Sequence, residues 1–341
     1  MGLIEVMISV VIGLLLVLVI YQIYEVSEGQ KRTITAGSDA QQNASYGLYV
    51  LARDLSMAGN GIASAAEALK ACPFDAAAPG QSLAPVPVVI TAGASAGDPD
   101  SVSVFYGGSS SLATPVQFKQ TSTTADRYVV PGPVGFSPND VIAAVQGANC
   151  TFSTIDANGV TIDGANGFAT LAHTPIAGNI GATYGAVNAS LVNLGQPASM
   201  GRIVYTVDPT TRALRTQKRL PTDDPVIPLI SDVVNLKAQY GLDTNGDGII
   251  DAWQAASGAW TPAALAALAP DQRLAAVRQV LAVRIAIVTR SAQYEKTTVT
   301  AGPLSLFDGQ VSMTLDDDAQ HYRYKVLETI VPLRNALWNT P

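Results

Sequence analysis

Residues 1–24 read MGLIEVMISVVIGLLLVLVIYQIY, and residues 6–24 of that stretch carry no charged side chain. Roughly 20 consecutive apolar residues in a helix span the hydrocarbon core of a bilayer. The unusual residue is Glu5. A carboxylate at the edge of such a span is costly and is read as functional by default. The cation nearest to it in sequence is the α-amino group of Met1. No Lys or Arg precedes the apolar run, so the segment lacks the basic start of an intact secretory signal. It reads as a segment whose basic leader has been removed.

The helix that begins here extends well beyond the apolar run. The first proline is Pro73, and proline is the strongest helix breaker. Ala44, Leu48, Leu51 and Leu55 are spaced by 4, 3 and 4 residues, which places them on one helical face. Gln41, Gln42, Asn43, Arg53 and Asp54 lie around that face. Gly59-Asn60-Gly61 supplies a stop, because Gly and Asn tolerate the left-handed conformation at a helix C-terminus. Residues 2–58 are therefore expected as one helix of about 85 Å. Its first half is apolar nearly all round, and its second half is amphipathic and packs on a globular domain. Gly13, Gly29, Gly37 and Gly47 are weak points, each costing roughly 1 kcal/mol against Ala.

Past Gly61 the pattern changes to short alternating runs, which read as strands at 86–90, 102–106, 141–145, 203–207, 233–240, 281–287 and 322–331. The first is an edge strand if Pro87 lies inside it. Residues 156–159 (Asp-Ala-Asn-Gly) and Asp163-Gly164 are turn signals. An Ala- and Leu-rich helix is expected over 262–280, divided at Pro270. The fold class is α+β, with one long N-terminal helix (1–58) on a β-rich globular part (59–341).

Composition points away from the cytoplasm and from nucleic acid. Charged residues make up 14% of the chain and the formal net charge is −7, whereas nucleic-acid binding needs a basic face. Two cysteines occur, Cys72 and Cys150. In an oxidising compartment two cysteines most simply form one disulfide; the alternative is two buried thiols.

Met1-Gly2-Leu3-Ile4-Glu5-Val6 followed by an apolar helix resembles the mature N-terminus of type IV pilins and type II secretion pseudopilins. The resemblance implies cleavage after a Gly by a prepilin peptidase and methylation of the Met1 amine, with Glu5 in the assembly position. It further implies insertion in the bacterial inner membrane, then packing against other copies or other pilins in an extracellular filament. Two departures stand out. The first residue is Met where the family usually has Phe, and Gln22 replaces the proline that kinks the helix of many major pilins. Later segments resemble the PilW-type minor pilins. These are Leu51-Ala52-Arg53-Asp54-Leu55, Val204-Tyr205-Thr206-Val207-Asp208 with Leu214-Arg215, and Leu236-Lys237-Ala238-Gln239-Tyr240 leading to Trp253. The strand around Arg284 and the terminal Val331-Pro332-Leu333-Arg334-Asn335 complete the series. The likeness covers both ends and residues 201–341, while 62–200 match no named pattern.

Asp243-Thr244-Asn245-Gly246-Asp247-Gly248-Ile249-Ile250-Asp251 follows the first nine positions of a calcium loop. Asp243, Asn245 and Asp247 supply side-chain oxygens, Ile249 a carbonyl, and Asp251 a ligand that often acts through water. Gln254 stands where a bidentate Glu would close an EF-hand. All-oxygen ligands favour one Ca²⁺ over zinc; the competing reading is an acidic turn that binds nothing. Asp316-Asp317-Asp318 reads as a solvated turn. His173 and His321 sit in no nucleophile or metal motif, and Trp253, Trp260 and Trp338 read as core or interface anchors. No catalytic group is assembled, so an enzyme is the weakest option. The readings left open are a structural subunit of a type IV pilus, minor or major; a type II secretion pseudopilin; and a pilin-anchored adhesive or binding module.

Overall fold

Helix α1 (Leu3–Met57) dominates the computed structural model, which describes residues 2–78, 81–108, 114–122 and 124–337, with the side chains of Glu5, Ala336 and Leu337 set aside. Its buried face is the expected one, with Ala44, Leu51 and Leu55 wholly enclosed and Leu48 partly so. Gly47, read from sequence as a weak point, is where the helix comes closest to the sheets. A Cβ there would lie 2.5 Å from Ile230 Cδ1 and 3.3 Å from Ile287 Cδ1. The helix stops where the glycines predict. Gly59 takes φ +79°, and its N–H donates to the Phe105 carbonyl at 2.9 Å.

A short helix α2 (Ala66–Leu69) and strands β1 (Val88–Thr91) and β2 (Ser101–Tyr106) follow. Pro87 precedes β1 instead of interrupting it, and β1 is an edge strand. Next comes a separate six-stranded sheet formed by β3 (Val116–Gln117), β4 (Arg127–Val130), β5 (Val141–Gln146), β6 (Asn149–Ile162), β7 (Ala169–Gly178) and β8 (Ser190–Gly195). The chain then returns through β9 (Gly201–Asp208), β10 (Ala213–Leu220) and β11 (Ile227–Ile230), completing the sheet β1-β2-β9-β10-β11. Strands β9 and β10 form a hairpin, with Asp208 opposite Ala213.

The remaining elements are β12 (Val233–Leu242), β13 (Ala252–Ala255), α3 (Pro262–Ala267) and α4 (Pro270–Arg278), then β14 (Val280–Arg290), β15 (Leu304–Leu306), β16 (Val311–Met313), β17 (Tyr324–Pro332) and α5 (Arg334–Leu337). Pro262 and Pro270 each open a helix, where the missing N–H costs nothing. Strands β13-β12-β14-β17 form an antiparallel sheet, and β15 and β16 a hairpin. The α1 face and both larger body sheets share one core that includes Val102, Tyr205, Leu236 and Ile285.

The six-stranded sheet is inserted between β2 and β9, which are neighbours in the body. Its order is β3-β8-β5-β6-β7-β4. Strands β5, β6 and β7 form a meander and β8 returns beside β5, a Greek key. The sheet rolls into a barrel, with Lys119 N–H, just past β3, reaching across the seam to the Val129 carbonyl of β4 at 2.8 Å. The barrel encloses Phe118, Tyr128, Ile142, Leu171 and Tyr184. Its outer face packs Cys150, Phe152 and Val192 against Ile62, Leu69 and Cys72. Residues 156–159, expected as a turn, instead form a bulge inside β6. Opposite β7 the register jumps from Ile155–His173 to Val160–Leu171, because Gly159 lets the strand press on the Ala172 carbonyl. Asp163-Gly164 does turn, joining β6 to β7.

Cys72 and Cys150 form the disulfide, with Cα atoms 5.2 Å apart and both residues fully buried. It ties the segment after α2 to β6, and so the body to the barrel.

Candidate functional site

The first half of α1 stands clear of the rest of the chain. Every apolar side chain described between residues 3 and 26 is exposed. Among the described residues this is the one helix long and apolar enough to cross a membrane. Apolar groups all round a helix need an apolar surrounding, in lipid or against other helices. Met1 and the Glu5 side chain, the two groups to which the pilin resemblance assigns assembly, lie outside the described residues.

The nine-residue loop at 243–251 joins β12 to β13, so the strand pair fixes both of its ends. Asp243 is buried, and its carboxylate accepts from Gly246 N–H at 2.6 Å and Gly248 N–H at 2.8 Å. Asn245 Oδ1 accepts from Asp247 N–H at 2.9 Å, and Asp247 Oδ1 accepts from Ile249 N–H at 2.8 Å. Asp251 Oδ2 accepts from the hydroxyl and amide of Thr244 at 2.7 and 2.8 Å. Those bonds, the hydroxyl first, hold the Asp251 carboxyl below its ordinary range. Gly246 and Gly248 both take φ +81°, a conformation glycine adopts without penalty. The oxygens of the sequence motif thus share one tight loop and bond to its own amides. Among the described residues no three His, Cys, Asp or Glu side chains converge as a group able to hold a metal.

Several residues at the base of the fold do more than the sequence indicates. Asp54, grouped above with the polar surround of α1, is buried. It accepts from the Tyr205 hydroxyl at 2.5 Å and from Arg53 Nε at 2.9 Å. Burial first, and then the Asp54 charge, push the Tyr205 hydroxyl up. Asn335 Nδ2 reaches the carbonyls of Ser56, Met57 and Ala58 at 3.4, 3.3 and 3.1 Å and caps the end of α1. Arg284 lies over the rings of Trp253 and Phe307, at 4.8 and 4.6 Å from their centroids. Trp260 packs 5.3 Å from Tyr240, while Trp338 lies outside the described residues. His173 is in the barrel core, stacked 3.8 Å from Tyr128, and His321 lies under Tyr294. The three aspartates 316–318 fall in the turn between β16 and β17.

Residues 203–335 match the family model described as type IV pilus-assembly protein W. That stretch of the chain is PilW-like. The match runs from β9 into α5, and so includes the two strands that flank the calcium-type loop, the Arg284 strand and the Asn335 cap. The barrel lies outside it. Among solved structures, a type IV-like pilin from Thermus thermophilus is similar over 59% of this chain and 86% of its own, at 10% identity and a TM-score of 0.23. No curated protein matches the chain.

Proposed function

We propose that this chain is a structural subunit of a type IV pilus. Helix α1 holds it in the inner membrane before assembly and packs it into the filament afterwards. The observation that carries this reading is an apolar half-helix bare on all sides, leading into a domain whose C-terminal part is PilW-like. The subunit acts by assembly and catalyses no reaction. In this reading a prepilin peptidase exposes the Met1 amine, and Glu5 neutralises the Met1 amine of a neighbouring subunit as helices dock. An unpaired carboxylate in an apolar bundle costs several kcal/mol, so the pairing selects the docked register. Glu5→Ala is expected to fractionate with the inner membrane and to be missing from sheared surface filaments. Normal incorporation of that variant refutes the assembly role.

The loop 243–251 is the proposed site of one Ca²⁺, held by Asp243, Asn245, Asp247, the Ile249 carbonyl and Asp251. Its support is the alternation of oxygen-bearing residues and the positive-φ glycines that bring them into one turn. An ion that binds only the folded state stabilises it by about 2.7 kcal/mol at a hundred times its dissociation constant. The expected result is a higher melting temperature in calcium than in chelator, abolished by Asp243→Asn with Asp247→Asn. Identical midpoints in calcium and chelator would reduce the loop to an acidic turn.

A further inference from the structure

Alternate residues of β12 point to opposite faces. Leu236, Ala238 and Tyr240 enter the shared core, while Asn235, Lys237 and Gln239 form a buried polar row on the other face. The loop between β1 and β2 closes over the first two of that row. Asn235 Nδ2 donates to the carbonyls of Ala96 and Gly97 at 3.2 and 3.0 Å. Lys237 Nζ donates to the Ser95 and Asp98 carbonyls at 3.1 and 2.6 Å and pairs with the buried Asp100 at 2.9 Å. Gly93 lets the loop fold this tightly, because a Cβ there would lie 2.4 Å from the Asp98 carbonyl oxygen. The third residue of the row, Gln239, lines a cavity of about 300 Å³ between this loop and the β15–β16 hairpin.

Arg284, opposite Gln239 on β14, decides what the cavity offers. Its guanidinium lies between Trp253 and Phe307 and donates through Nε and Nη2 to Gln239 Oε1, at 2.9 and 2.5 Å. Nη2 also donates to Gln310 Oε1. A guanidinium has donors only, so both carboxamides present oxygen to it and turn their Nε2 groups away. Both glutamines line the cavity, and among the described residues neither Nε2 has an acceptor. The loop wall supplies the complementary groups, since the carbonyls of Ala92, Gly93 and Ala94 accept no backbone amide among the described residues. On the hairpin wall Phe307 and Asp308 take φ +54° and +55°, a conformation that bulky residues avoid and that collects at ligand clamps. Charge is met on both sides: Lys237 pairs with Asp100, and the Glu328 and Asp308 carboxylates oppose the effect of burial on Arg284. The unspent groups are therefore neutral donors and acceptors. We propose that the cavity binds one neutral sugar residue, whose hydroxyl oxygens accept from the Gln239 and Gln310 amides and whose hydroxyls donate to the carbonyls of 92–94. At about 300 Å³ the cavity stands at the small end of ligand pockets, which limits it to a single ring. The site belongs to the globular body and does not depend on the membrane or filament reading.

The test uses the full chain in a detergent without a sugar headgroup. Saturation-transfer NMR is recorded with methyl glucoside and methyl galactoside as neutral probes, glucosamine as a cation and glucuronate as an anion. The expected result is saturation of at least one neutral glycoside and of neither charged sugar. Gln239→Glu with Gln310→Glu keeps an oxygen for Arg284 at both positions and removes every carboxamide N–H donor. That double variant should weaken binding at least tenfold, the scale of losing two or more hydrogen bonds. Ala94 is exposed on the loop wall, so Ala94→Trp should fill the cavity and abolish binding without disturbing the core. Gln117→Glu on the barrel should change nothing. No saturation of either neutral glycoside, equal saturation of neutral and charged sugars, a preference for glucuronate, or binding that survives Ala94→Trp overturns the site. Undiminished binding in a folded Gln239→Glu, Gln310→Glu chain overturns it as well.

Discussion

Replacing Cys72 and Cys150 together by Ala tests the disulfide crosslink between the barrel and the body. The two residues are 78 apart in sequence. For a loop of that length the chain-entropy treatment assigns the crosslink about 4.5 kcal/mol at 25 °C, against 2–5 kcal/mol typical for removing a native disulfide. Both cysteines are fully buried between Leu69 and Phe152, so deleting two sulfur atoms also leaves a small cavity that adds to the loss. At roughly 2 °C per kcal/mol for a domain of this size, the midpoint should fall by about 10 °C. The loss should also have a location. Among the described residues the barrel joins the body through its two chain connections and the Cys72 contact surface, so amides of residues 62–72 and of β6 should gain hydrogen exchange before those of β12 and β14. The assay is calorimetry of the oxidised chain, the reduced chain and the double variant, with exchange mass spectrometry on each. A double variant that melts within a degree or two of the oxidised protein, with unchanged exchange at 62–72, would refute the argument that the disulfide holds the barrel to the body.

The other expectations concern single residues. Asp54→Ala leaves the Tyr205 hydroxyl buried without its acceptor and should cost about 1–3 kcal/mol in chemical denaturation; Tyr205→Phe should be milder, and additive losses in the double variant would deny the coupling. His173 is 2% exposed, neither ring nitrogen has a hydrogen-bond partner among the described residues, and burial lowers its pKa to about 4 despite the opposing pull of Asp126 and Asp156. The folded state thus keeps it neutral while the unfolded chain takes up a proton near pH 6.5, so its contribution is complete above that pH and shrinks as the pH falls toward 4, by about 3 kcal/mol in all. His173→Phe should flatten this part of the pH–stability curve, and an unchanged slope would exclude His173 as its origin. Gly47→Ala should destabilise despite a helix-propensity gain of about 1 kcal/mol, because its Cβ meets Ile230 at 2.5 Å; a stabilised variant would show that Ile230 yields freely. Asn335→Ala should cost about 1 kcal/mol by uncapping α1, seen as faster amide exchange in its last turn.

The parts legible in sequence are those with a strong period or a strong breaker. An uninterrupted run without proline, a 4-3-4 apolar spacing and Gly59 define α1 to within a residue at each end. The strands of the β12-β14 pair show because each alternates, or is apolar throughout, over eight or more residues. Residues that work across long separations do not show. Asp54 looks like any polar residue on a helix surface, and only the fold places Tyr205, 151 positions away, against it. Gly47 reads as a defect until the sheets approach it. Of the barrel, β5 (Val141–Gln146) is legible as the run at 141–145, whereas β3 has two residues and β4 has four, below what alternation can resolve, and the β6 bulge imitates a turn. The calcium-type motif is legible as a loop of oxygens because its oxygen-bearing residues and glycines are contiguous in sequence.

The position of the barrel gives the molecule a division of labour. It enters between β2 and β9, two strands that pair directly, so the body sheet closes beneath the insertion as though it were absent. The core shared by α1 and the body sheets contains no residue from β3–β8. The barrel keeps its own core, and its docking surface faces Ile62, Leu69, Cys72, Leu83 and Phe105, away from the buried face of α1. Changes on the outer barrel strands can therefore accumulate without disturbing the packing of α1 on the body sheets. The docking surface, the disulfide and the two chain connections carry strain from one part to the other. If the chain is the filament subunit proposed above, this separates the helix that would pack along the fibre from a surface that is free to differ.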